Sequence, residues 1–166
     1  MISFRRNLIV SLLFTFCGGP AVVLFLMPWY ITHFQISATG SLARNIPAVV
    51  LITIGLIPLF ESIWRFIVVG RGTLMPAVPT ERLVVSGLYR HVRNPMYLGV
   101  VTALTGEALL FASRHMLVYL AIIWSIMHGF VCFYEEPRLA GTHGEEYSRF
   151  KRNVPRWIPR LAAWKP

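Results

Sequence analysis

LVVSGLYRHVRNPMYLG, residues 83–99, decides how the rest of this chain is read. It is basic and aromatic, it is punctuated by Gly87 and Pro95, and it lies between two strongly apolar blocks. Hydrophobic residues make up 55% of the 166-residue chain and mean hydropathy is +0.59. Soluble domains run at about 45–50% apolar even with glycine included. The composition therefore predicts an integral membrane protein, all-α, a polytopic helical bundle in a single domain over 1–166. Polar chemistry set between two membrane spans is more than a connector.

Working outward, Pro95 suits the first turn of a span over 95–112. On the other side, an apolar block predicts a span over 46–69, joined to it by a polar loop over 70–94. Ser113-Arg114-His115 reads as a tight turn into a fourth span, 116–134, which makes a helical hairpin with the third. A first span over 8–31 follows Arg5-Arg6. Its apolar run exceeds the roughly 7–15 residues of a signal peptide's core, so it reads as retained. The tail over 135–166 is basic and amphipathic, with Tyr147, Phe150, Val154, Trp157 and Ile158 as its apolar members. It is expected to lie on the bilayer or cap the bundle.

Net charge is +9, and the basic residues flank the spans. That pattern fits orientation in a bilayer rather than binding to nucleic acid. The N-terminus, the 70–94 loop and the tail hold thirteen of the 16 lysines and arginines. Both termini and the polar loop are thus expected on the cytoplasmic side, of a bacterial inner membrane or endoplasmic reticulum. Gly70-Arg71-Gly72 is too short a fragment, with no preceding strand, to indicate a dinucleotide fold. Cys17 and Cys132 sit in apolar runs without metal-ligand spacing and read as thiols with no chemistry; no metal is expected.

Several side chains can carry chemistry. Tyr89 and Tyr97 offer ring faces and hydroxyls. Arg93, Asn94 and the backbone around Gly87 and Pro95 offer directed hydrogen bonds, together suited to an adenosine and an amino-acid head. Interfacial anchoring would use the same residue types. Glu135-Glu136 closes the last apolar block, and acids at a helix C-terminus oppose its dipole, a placement that asks for a cation. His128 lies seven residues earlier, where an ionisable group within a span points to function; a neutral histidine bonded to a neighbouring helix is the alternative. Glu107 must be protonated or paired, with His128 a weak candidate partner, and Glu61 can pair with Arg65 one turn on.

Residues 83–99, followed by YEEPRLAGTHGEEYSRFKRNVPRWIPR, resemble the isoprenylcysteine carboxyl methyltransferases and the wider phospholipid methyltransferase group. The likeness covers roughly Arg71 to Arg160. It implies transfer of a methyl group from S-adenosylmethionine to a lipophilic acceptor, within a helical membrane fold. By position it implies cofactor contacts at Leu83, Val84 and Tyr89, at Arg93, across Asn94, Pro95, Met96 and Tyr97, at Gly99, and at Glu135. A prenylated carboxylate is the acceptor it favours, with a phospholipid amine or small thiol as alternatives. An amine or thiol must lose a proton, for which Glu136 or His128 would serve as base. Two positions depart from the family pattern: Asn94 stands where histidine is common, and Val131 where eukaryotic relatives have arginine. An NADPH-dependent membrane reductase and an inactive membrane scaffold remain the readings from other classes.

Overall fold

The computed structural model describes residues 19–35, 41–68 and 82–165, and every regular element among them is helical. They form α1 (Val22–Thr32), α2 (Leu42–Val68), a short 3-10 turn (Gly87–Arg90), α3 (Pro95–Phe111) and α4 (Arg114–Asn153). Residues 8–18 of the expected first span and 70–81 of the polar loop lie outside the described residues.

α3 is the centre of the bundle. Val100, Ala103, Leu104 and Ala108 are buried along it, and they join Leu24 of α1, Leu59 and Ile63 of α2, and Met116 and Tyr119 of α4 in one core. Three glycines let α2 and α3 touch backbone to backbone. A Cβ on Gly55 would stand 2.5 Å from the Gly99 carbonyl oxygen, one on Gly99 2.5 Å from the Gly55 oxygen, and one on Gly106 2.6 Å from the Ala48 oxygen. Close approach through small residues is how helices associate where lipid removes the hydrophobic driving force. The outer faces stay apolar: Ile54, Ile57, Phe60 and Trp64 on α2, and Leu117, Val118, Ile122 and Ile126 on α4, are all exposed. Apolar side chains facing outward on this scale mark a surface meant for a bilayer.

Among the described residues, two helices, Leu42–Phe66 and Arg114–Asn153, are long and apolar enough to cross a membrane. α3 has 17 residues, a rise of about 25 Å against a hydrocarbon core of about 30 Å. It ends where Ala112 turns left-handed, φ 49°, and its N–H donates to the Leu109 carbonyl. The four-span layout is therefore not established by helix length. The fourth helix also does not stop at Tyr134. It passes through a π turn, Val131–Glu135, and continues as Glu136–Asn153. Pro137 follows at once, and the π turn just before it widens the hydrogen-bonding step and absorbs the missing donor. The same device precedes Pro28, where Val22–Leu26 is a π turn.

α4 bends once more, at Gly144 (φ 49°, ψ −119°). Beyond that bend Tyr147 and Phe150 turn inward with Val154 and pack with Leu83, Val85, Leu139 and Trp164. The tail thus caps the polar end of the bundle, as an extension of α4 and then as an irregular strap over 154–164.

Candidate active site

Residues 82–94 are fixed from two directions. From α2, Arg65 donates through Nε to Glu61 and through NH1 to Ser86 Oγ at 2.9 Å. Gly87 sits against this pair with φ +55°, and a Cβ there would run into Glu61 and Arg65. Only glycine fits a left-handed position so tightly overlaid. From the other side, the strap runs alongside the loop. Arg93 N–H donates to the Pro155 oxygen at 2.9 Å, Arg160 N–H to the His91 oxygen at 3.0 Å, and Trp164 N–H to the Arg90 oxygen at 2.9 Å. Asn94 Nδ2 donates to the Arg156 oxygen at 3.1 Å, and His91 Nδ1 to the Arg160 oxygen at 2.8 Å. Asn94 therefore spends its amide in holding the strap.

Between loop, α2 and α4 lies a small cleft, partly open to solvent. Leu83, Val84, Tyr89, Arg93, Asn94 and Glu135 line it, as does Glu136. Phe66, Leu139, Tyr147 and Phe150 complete the walls. The last two had a signal in the sequence, the apolar stripe of the tail; Phe66 and Leu139 had none, being ordinary apolar residues of long helices. Tyr89 packs edge-on to Phe66, ring centroids 5.8 Å apart. Burial pushes its phenol well above the ordinary tyrosine range, so it stays protonated.

The adjacent carboxylates have different surroundings. Glu136 is 7% exposed and ringed by cations. Arg93 NH1 and Arg156 Nε each lie 2.7 Å from its Oε1, Arg156 NH2 lies 2.9 Å from Oε2, and Lys151 Nζ lies 3.6 Å from Oε2. Among the described residues Glu135 makes no ion pair, and its Oε2 accepts one hydrogen bond, from Tyr97 Oη at 2.9 Å. Arg93 Nε is buried and has no partner among the described residues. A cleft with one carboxylate free of cations and one orphaned guanidinium donor suits a ligand that carries both signs of charge.

The remaining sequence candidates lie elsewhere. Pro95 opens α3 and is buried, Met96 packs on the core, and Gly99 is taken up by the helix crossing. Tyr97 does not line the cleft but donates to Glu135. His128 is exposed on α4, where Trp157 Nε1–H donates to its Nδ1 at 3.1 Å and Cys132 Sγ lies 3.6 Å from its Nε2. Trp157 also meets Trp124, ring centroids 4.7 Å apart, and Tyr97 at 6.5 Å. Glu107 keeps one buried oxygen without a partner, so its pairing with His128 is not formed.

The chain matches the phospholipid methyltransferase family over residues 43–146, well over half its length. It belongs to that family. The family is part of the membrane methyltransferase group that also holds the isoprenylcysteine carboxyl methyltransferases. No curated protein and no solved structure matches the chain. The family's stretch takes in α2, the 82–94 loop, α3 and α4 as far as Glu146. Tyr147 and Phe150, which line the cleft, and the strap come after it.

Proposed function

We propose that this membrane methyltransferase takes its methyl group from S-adenosylmethionine, bound in the cleft beside Glu135, and passes it to a lipophilic acceptor at the cytoplasmic face. The observation that carries the reading is the pairing of a cation-free carboxylate, Glu135, with the unpartnered donor of Arg93 in one cleft. Those groups fit the cofactor's positive and negative ends, and Leu83, Val84 and Phe150 offer apolar walls for its nucleoside. When bound, S-adenosylmethionine supplies an electrophilic methyl on a sulfonium. The chain's own residues then orient, since positioning supplies most of the acceleration in a bimolecular displacement. Glu135 holds positive charge in place, Tyr97 fixes the Glu135 carboxylate, and Tyr89 keeps one wall rigid.

The two candidate bases are both engaged. Glu136 is saturated by guanidinium and ammonium groups, and His128 Nδ1 is taken by Trp157. An acceptor carboxylate, already ionised, needs no base. An amine would have to give its proton to Glu135 or to water. Both acceptor classes fit the family, and incubation with labelled cofactor and membrane extract separates them by which lipid or prenylated product becomes labelled.

Glu135→Gln tests the cleft. It keeps the shape and removes a charge worth roughly 1–4 kcal/mol to a cation about 4 Å away. Calorimetry in detergent is expected to show at least about a tenfold loss of S-adenosylmethionine affinity, with a smaller loss for S-adenosylhomocysteine, whose sulfur is neutral. Unchanged affinity for both in a folded variant would place the cofactor elsewhere. The charge asymmetry supports a cytoplasmic site with both termini on that side. Cysteines introduced at His115 and Ser148, towards opposite ends of α4, are expected to label from opposite faces; labelling from one face would overturn the layout.

A further inference from the structure

Arg156 lies beyond the stretch matched to the family, in the strap, yet it decides how the Arg93 guanidinium is used. Its fork takes both oxygens of Glu136, Nε to Oε1 at 2.7 Å and NH2 to Oε2 at 2.9 Å. Lys151 adds a second cation on Oε2. Arg93 is left with Oε1 alone, which it meets through NH1 at 2.7 Å, and the same NH1 lies 3.3 Å from Tyr147 Oη. A guanidinium beside a free carboxylate favours a two-bond fork. Without Arg156, Arg93 would turn to take both oxygens of Glu136 and use up its second edge. With Arg156 in place it stays singly bonded to Glu136, and its Nε, in a side chain 9% exposed, is buried and has no partner among the described residues. Three cations around one carboxylate also leave this part of the cleft net positive.

We propose that Arg156 is a positioning residue that keeps Arg93 monodentate on Glu136, so that the free edge of Arg93 binds the carboxylate of the cofactor's amino-acid head. This rests on the S-adenosylmethionine reading above. It adds that a residue outside the family's stretch sets recognition of one end of that cofactor. Glu135 and Arg93 then hold opposite charges of the same ligand.

The probes are S-adenosylhomocysteine and its decarboxylated analogue, which keeps the amine and the adenosine, titrated into the full chain in detergent. The wild-type chain is expected to prefer the carboxylate form by about tenfold or more, the size of one charge-assisted hydrogen bond. In Arg156→Met that preference is expected to shrink towards parity while the decarboxylated analogue binds as before, which also shows that the fold is intact. Equal weakening of both probes, or an unchanged preference, would overturn the proposal. Should Arg156→Met not fold, Arg156→Lys decides. Lysine keeps the charge but cannot fork, so it is expected to narrow the preference, and an unaltered ratio would again overturn it. Wild-type binding of both probes without preference would remove this inference and leave the functional reading standing. Binding of neither would remove both.

Discussion

The α2–α3 crossing and the clamp around residues 82–94 are two ways of holding this chain together, and they fail differently. The crossing has no polar side chain at its tightest points; Gly55, Gly99 and Gly106 simply let backbones meet. The clamp adds polar ties to an apolar contact, with Glu136 at its hub and a strap tied to the loop by main-chain and side-chain hydrogen bonds. In the crossing, adding an atom does the damage. In the clamp, removing a charge does it.

Glu136→Gln should give the largest loss. It leaves Arg93 and Arg156 facing a neutral amide in a site where the carboxylate is 7% exposed. Breaking a buried ion pair from one side costs about 3–5 kcal/mol. Denaturation in mixed micelles should show that loss, with faster proteolysis of the strap. A loss below about 1 kcal/mol, the value of an exposed pair, would mean that the clamp is solvated and that the contrast with the crossing is false.

Gly99→Ala comes next. Its new methyl would meet the Gly55 carbonyl oxygen at 2.5 Å and Pro58 Cγ at 2.9 Å, neither of them the end of a flexible side chain. Overpacking costs about 1–3 kcal/mol. Gly141→Ala is the control: it is helical, and a Cβ there meets nothing within 4 Å. It should gain about 0.5–1 kcal/mol from helix propensity. If both substitutions behave alike, the helices do not approach as closely as described.

How far the sequence disclosed these two regions follows from what makes each of them. The central motif was legible because its chemistry is local: Leu83, Val84, Tyr89, Arg93 and Asn94 line the cleft within a dozen residues of one another, and Glu135 joins them from the end of an apolar block. Gly99 belonged to the same motif but serves the crossing, since a glycine that admits a ligand and one that admits a helix look the same in one dimension. Arg156 was one of many basic residues in the tail. Its fork on Glu136 depends on the strap doubling back along residues 90–94, a path set by hydrogen bonds between distant main-chain groups. The fourth span was expected to end at Tyr134 for a local reason: Glu135-Glu136 closes the apolar block, yet the helix runs on through a π turn with these acids inside it.

The smallest effect is expected where the two regions meet, at Trp157. An indole N–H can only donate, so His128 Nδ1 accepts and its proton sits on Nε2, the nitrogen facing Cys132. Trp157→Phe keeps an aromatic ring against Trp124 and Tyr97 and removes only that donor. A single neutral hydrogen bond is worth about 0.5–1.5 kcal/mol net in water and averages about 0.6 kcal/mol between membrane helices. The expected loss of stability is therefore below about 1 kcal/mol, well under that of Glu136→Gln. Trp157→Ala also removes the ring contacts, each worth about 0.5–1.5 kcal/mol beyond area, and should cost clearly more. If the phenylalanine variant instead loses as much as the alanine variant, the hydrogen bond to His128 and not the stacking fixes the strap. The polar logic of the clamp would then extend down α4 past the point where the apolar helix surface begins.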